Sequence, residues 1–117
     1  MGTWAAGPFG NDAALDFVAE VIDQLMSVID EFVTSPEIDE TLDPAFAAIA
    51  LLNAVMELTP CRPSDREGAL DGTLIRDAML RCFDEQIDEM TSDADFKRDQ
   101  RASLVETLET FCRLSKQ

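Results

Sequence analysis

Between Asp12 and Val33 the polar residues Asp16, Glu20, Asp23, Ser27 and Asp30 recur at three- and four-residue steps. Apolar side chains, among them Phe17, Val18, Val21, Ile22, Leu25, Met26, Ile29 and Phe32, fill the intervals. At about 3.6 residues per turn this draws a single polar stripe along a helix, whereas a strand needs alternation at every second residue. The apolar face is wide enough to require more than one neighbour, or a second copy of the chain. Asn11 suits the N-cap, and Asp12 sets a carboxylate against the positive helix end. Ser35-Pro36 stops the run, because the residue before a proline avoids the α region. The spacing predicts a helix over about 12–33.

The rest of the chain repeats this period. Asp43-Pro44 reads as an N-cap followed by a first-turn proline, and Ala45–Leu58 is apolar nearly all round, with Asn53 and Glu57 as exceptions. That predicts a helix over about 44–58 in the middle of a bundle, with five alanines allowing close approach. Thr59–Ser64 breaks it. A third helix, about 73–90, places Leu74, Ile75, Ala78, Met79, Cys82, Phe83, Ile87 and Met90 on one face. On its other face Asp77–Arg81 and Arg81–Glu85 stand at ion-pair spacing. A fourth, about 94–114, buries Phe96, Leu104, Val105, Leu108, Phe111 and Cys112. The expected fold class is all-α: one domain over residues 1–117, a bundle of about four antiparallel helices around an alanine-rich apolar helix. Residues 1–11 form an N-terminal lid, in which Gly7-Pro8 turns the chain and Trp4 and Phe9 fold it back onto the core.

Charge narrows the partners. The chain holds 24 acidic and 9 basic residues, a formal net charge of −15. Nucleic-acid backbones and anionic membranes, both recognised through Lys and Arg, are poor partners for it. A basic protein is the expected partner class, and a homo-oligomer is the other. The longest apolar run, Ala45–Leu52, is far short of the roughly twenty residues that span a bilayer. Without a basic and apolar leader, the expected location is the cytoplasm.

Catalytic signatures are missing. The chain has no His, which removes the commonest general base and the Ser-His and Cys-His nucleophile pairs. Cys61, Cys82 and Cys112 form no CxxC. Cys82 and Cys112 fall on apolar faces as small hydrophobes, and Cys61 lies in a proline-rich loop with Arg62 and Arg66 at hand to lower its pKa. No catalytic residue, cofactor or metal is assigned. The carboxylates Asp12, Asp16, Glu20 and Asp23 are the one acidic constellation: a divalent-cation site, a surface for a basic partner, or a helix start facing solvent. Asn53 and Glu57, one turn apart, are candidate buried polar groups for a hydrogen bond across the bundle or a polar pocket.

Met1, Gly2, Trp4, Gly7, Pro8, Phe9, Asn11, Asp12, Ala14, Asp16 and Phe17 spell M-G-x-W-x-x-G-P-F-x-N-D-x-A-x-D-[FW]. The opening resembles that of a family of small, mostly bacterial proteins of unknown function. The resemblance implies a small helical domain, with Trp4, Gly7, Pro8, Phe9, Asn11, Asp12 and Asp16 as a structural signature, and carries no activity or cofactor. It continues loosely through the second helix.

The functional expectation is a non-catalytic protein-binding module, in one version an immunity- or antitoxin-like protein that neutralises a basic enzyme. A small-ligand or metal-dependent enzyme using Asp12, Asp16 and Glu20 is the alternative, and a homo-oligomeric structural protein the third. If Trp4 closes the core, Trp4→Ala costs roughly a few kcal/mol in a thermal or urea melt, as for other large buried aromatics. Unchanged stability would place Trp4 among the contact residues instead.

Overall fold

The computed structural model describes residues 7–116. Trp4 and the remainder of the expected lid before Gly7 lie outside the described residues. Four helices follow in order: α1 (Asp12–Thr34), α2 (Leu42–Leu58), α3 (Gly72–Met90) and α4 (Ala94–Ser115), with one 3-10 turn at Pro63–Asp65. The chain is an all-α bundle.

Local chemistry accounts for three of the four starts. Asn11, in extended backbone, accepts a hydrogen bond from the Ala14 N–H at 2.8 Å. Asp71 accepts from Thr73 N–H at 3.0 Å. Asp93 takes both Asp95 and Phe96 N–H, at 3.0 and 3.1 Å. Each satisfies donors that the helix itself cannot. The start of α2 differs from expectation. It begins at Leu42 with Thr41 as N-cap and no side-chain cap, so Asp43 and Pro44 fall inside the first turn. Proline is tolerated there because first-turn N–H groups have no helical partner. The Thr41 hydroxyl binds the preceding loop instead, accepting from Glu37 N–H at 2.9 Å and donating to Ser35 O at 2.8 Å.

Around the bundle the helices run α1, α2, α4, α3, with only slight contact closing the ring between α1 and α3. Ile22, Ile29 and Phe32 of α1 meet Ile49 and Leu52 of α2, Ile75, Met79 and Phe83 of α3, and Leu104, Leu108 and Phe111 of α4 in one core. The starts of α3 and the end of α4 come close: a Cβ on Gly72 would sit 3.4 Å from Cys112 Sγ and from the Phe111 ring. Phe9 packs half-buried against this core, and Gly10 N–H closes a turn onto Gly7 O at 3.2 Å. Two anchors hold the α1–α2 loop. Ile38 is buried, and its N–H donates to Gln86 Oε1 at 3.0 Å while Gln86 Nε2 donates to Pro36 O at 3.2 Å.

Several expected core positions are at the surface. Phe96 and Met90 are about half exposed, and no residue from Ala94 to Ser103 is buried, because the α3–α4 hairpin extends beyond the other two helices. Leu74, at the opposite end of α3, is also exposed, and Val105 and Cys112 are only half-buried. Nor is α2 wrapped on all sides: among the described residues it packs on α1 and α4 and leaves Ala47, Leu51, Ala54 and Leu58 exposed.

Asn53 and Glu57 separate. Glu57 is exposed. Asn53 is buried in the α2–α4 seam, where Nδ2 donates to Thr107 O at 3.1 Å and Oδ1 has no partner. A buried acceptor without a donor offsets much of what the amide's one bond contributes. Asn53→Leu, which fills the space without an orphaned oxygen, is therefore expected to leave the urea midpoint unchanged or raise it. Asn53→Ala is expected to cost roughly 1 kcal/mol or more through the lost bond and the cavity. A large loss with leucine would mean that the amide sets the register of α2 against α4.

Candidate functional site

The carboxylate stripe of α1 does not converge. Asp12 is half-buried beside the cap, and Asp16 and Glu20 are exposed. Asp23 is engaged elsewhere: Arg66, in the loop after the 3-10 turn, grips it with Nε and Nη2 at 2.8 and 2.6 Å. That bidentate hydrogen bond holds the Asp23 carboxyl below its ordinary range. Among the described residues no group of three or more His, Cys, Asp or Glu is placed to hold a metal ion. Arg101 of α4 clasps Asp84 of α3 the same way, at 2.8 and 3.0 Å, and lowers its pKa. Lys97 reaches Asp88 at 2.6 Å. These interhelical pairs, rather than Asp77–Arg81–Glu85 along α3, are the ion pairs found in this region, together with Arg76–Asp77. On the α1–α2 loop, Glu37 is raised, chiefly through a hydrogen bond shared with Glu40.

The loop after α2 gives Arg62 a role that spacing alone did not reveal. Its Nη1 donates to Met56 O, Thr59 O and Cys61 O at 3.0, 3.1 and 2.9 Å. A guanidinium thus closes the negative end of α2. Thr59 assists, donating to Val55 O at 2.8 Å and accepting from Cys61 N–H at 3.1 Å. Cys61 is half-buried. Burial pushes the Cys82 and Cys112 thiols up, away from the thiolate form that nucleophilic chemistry requires. An open cleft of about 800 Å³ runs beside α3 from Val33 and Pro36 to Gln86. Asp77, Arg81 and Glu85 line it with charges of both signs.

A different surface stands out on the far side of the bundle. Along the outer seam of α1 and α2, Phe17 is 64% exposed, Leu51 55% and Leu58 67%. Phe17 and Val21 of α1 border an apolar pocket of about 150 Å³ with Val55 and Leu58 of α2, and Phe9 closes one end. Further along, Val28 and Pro44 line a second, smaller depression together with the polar Glu31, Glu40 and Thr41. Ala47, Leu51, Ala54 and Leu58 follow four-, three- and four-residue steps and are all exposed, an uninterrupted apolar stripe. Monomers rarely leave a contiguous apolar surface of this kind in water. Its borders carry Glu20, Gln24 and Glu31 on α1 and Asp43 and Glu57 on α2, all exposed. No lysine or arginine precedes Arg62 in the sequence, so neither helix contributes a cation.

The fold and this surface define an acidic four-helix bundle with an apolar groove that is open among the described residues. Residues 2–113 match the family described as Domain of unknown function (DUF4259), and the chain belongs to it. Comparison with curated proteins and with solved structures gives no match. No helix among the described residues is long and apolar enough to cross a membrane.

The ion pairs set a sign for pH. Asp23 and Asp84 titrate below their ordinary 3.8 when folded, so their contribution is complete above that value and is lost as pH falls through the depressed folded pKa. Glu37 works oppositely: its raised pKa favours the fold below its ordinary 4.5, and that gain disappears as pH rises through the folded value. Asp84→Asn is expected to flatten the loss of thermal stability below pH 3.8, and Glu37→Gln to remove the gain on acidification toward pH 4.5. Parallel acid limbs for wild type and Asp84→Asn would refute the assignment.

Proposed function

We propose that this chain is a non-catalytic protein-binding module whose working surface is the outer face of α1 and α2. The observation that carries the reading is the exposed apolar stripe Ala47–Leu51–Ala54–Leu58, joined to Phe17 and bordered by the carboxylates Glu20, Glu31, Asp43 and Glu57. Such a face combines the two parts of a specific interface: a water-excluding apolar centre and a charged rim that selects the partner. The rim selects a basic protein. An immunity- or antitoxin-like protein covering a basic enzyme is one module of this type, and it needs no catalytic group of its own.

Site-specific photocrosslinking in the native cell tests the reading. A photoreactive side chain at Leu51 is expected to form a discrete adduct with one protein, and the same group at Glu106 of α4 is expected not to. Leu51→Asp is expected to abolish binding of that purified partner while leaving the helical circular dichroism intact. Equal labelling at the two positions, or none at Leu51, would overturn the proposal. An adduct of two 12.9 kDa chains would overturn it in favour of self-assembly.

A further inference from the structure

We infer that the occupant of the α1–α2 groove is a cationic amphipathic helix lying along α2, its apolar stripe on Leu51, Val55 and Leu58 and its Lys or Arg side chains over the rim carboxylates. The inference rests on the binding-module reading above and specifies the partner's chemistry.

Shape comes first. From Pro44 to Leu58 the groove extends about 20 Å at 1.5 Å per residue, room for about four turns of a docked helix. On α2 the exposed Pro44, Leu51 and Leu58 recur every seven residues, and on α1 the exposed Phe17 and the half-buried Val21 and Val28 face the same seam. Apolar side chains at i, i+3, i+4 and i+7 of an incoming helix fit such a floor, and an extended strand finds no free sheet edge beside it. The alanines Ala47 and Ala54 keep the α2 side shallow enough for close helix approach.

Charge then chooses between occupants. A second copy of this chain, at net −15, would bring Glu20, Glu31, Asp43 and Glu57 against carboxylates of its own kind, with no cation from either helix to separate them. Like charges at a partly desolvated rim oppose association. Phosphate-bearing surfaces meet the same repulsion. A helix with Lys or Arg flanking its apolar stripe turns each of these carboxylates into an attraction, which speeds encounter and fixes register. Among the described residues, Arg66 and the other paired cations hold carboxylates on the opposite flank or on α3 and α4, and no ion pair involves Glu20, Glu31, Asp43 or Glu57.

The test uses a synthetic Leu/Lys amphipathic peptide about as long as α2, fluorescently labelled, titrated with the full chain. Two controls accompany it: the same residues scrambled so that no stripe forms, and the same stripe with Glu in place of Lys. The Leu/Lys helix is expected to bind at least about tenfold tighter than either control, and its affinity is expected to fall with added salt. Leu51→Asp is expected to weaken it about tenfold, as for a central apolar contact, and Glu57→Lys to weaken it and reduce the salt dependence. Glu109→Lys on α4 is expected to change nothing. Equal binding of the scrambled peptide would reduce the effect to bulk charge and overturn the inference. So would equal binding of the Glu peptide. A dimer in sedimentation that dissociates on Leu51→Asp would make a second copy the occupant, and a Trp4→Ala chain that binds the peptide tenfold tighter would make the chain's own first residues the occupant; either outcome overturns it. The readings fail separately: a crosslinked partner at Leu51 together with no peptide binding sinks the helical cationic occupant alone, whereas no adduct at Leu51 sinks the module itself.

Discussion

The second helix carries more apolar surface than this bundle can cover, and the arrangement of the molecule follows from that excess. Ile49, Leu52 and Met56 go to the common core with almost no exposure. Val55 and Phe46 are half-covered at the seams. With α3 diagonal to it, α2 has two helical neighbours, and a helix with two neighbours buries little more than half its circumference. Leu51 and Leu58 therefore stay in water. Their exposure weakens the hydrophobic return on folding α2, and closure of its C-terminal end by Arg62 and Thr59 compensates within the same element.

Electrostatics divides the molecule along the same line. Every Lys and Arg of the chain comes from Arg62 onward, and four of the nine tie elements together: Arg66 to α1, Arg101 and Lys97 to α3, Arg62 to the end of α2. These exposed pairs contribute modestly to stability, since water screens them and long side chains lose freedom in forming them. Where the cations fall along the chain has a larger, spatial consequence. With no Lys or Arg on α1 or α2, the carboxylates of that face have no cation on their own helices, and an apolar groove with an anionic rim is the result.

Much of this architecture was legible in the chain. The polar stripe Asp16–Asp30, the cap Asn11 and the stop at Ser35-Pro36 are local features, and local hydrogen bonding and steric preference decide them; Asp71 and Asp93 cap α3 and α4 in the same local way but were not singled out by spacing. Family membership was legible at the opening segment. The start of α2 was not, because Thr41 is fixed by contacts to Ser35 and Glu37 in the loop rather than by a side-chain cap. Asp23 looked like part of an acidic constellation, yet its partner Arg66 lies 43 residues away and no periodicity links them. Gln86 was missed for the same reason, since its partners lie 48 and 50 residues back; Arg62 was missed although its carbonyls at Met56, Thr59 and Cys61 are local.

Residue spacing by itself determined that the chain is helical, about where each helix runs, and which sides are apolar, since those properties repeat within a turn or two. It also set the sign of the surface and removed the chemistry that depends on histidine. Only the tertiary structure decided which apolar faces are covered. Phe96, Met90 and Leu58 have the same hydrophobic character as Phe111, Met79 and Leu52, but helix offset and neighbour number expose the first three and bury the others. Burial depends on what stands opposite a side chain, and among the described residues nothing stands opposite Leu51.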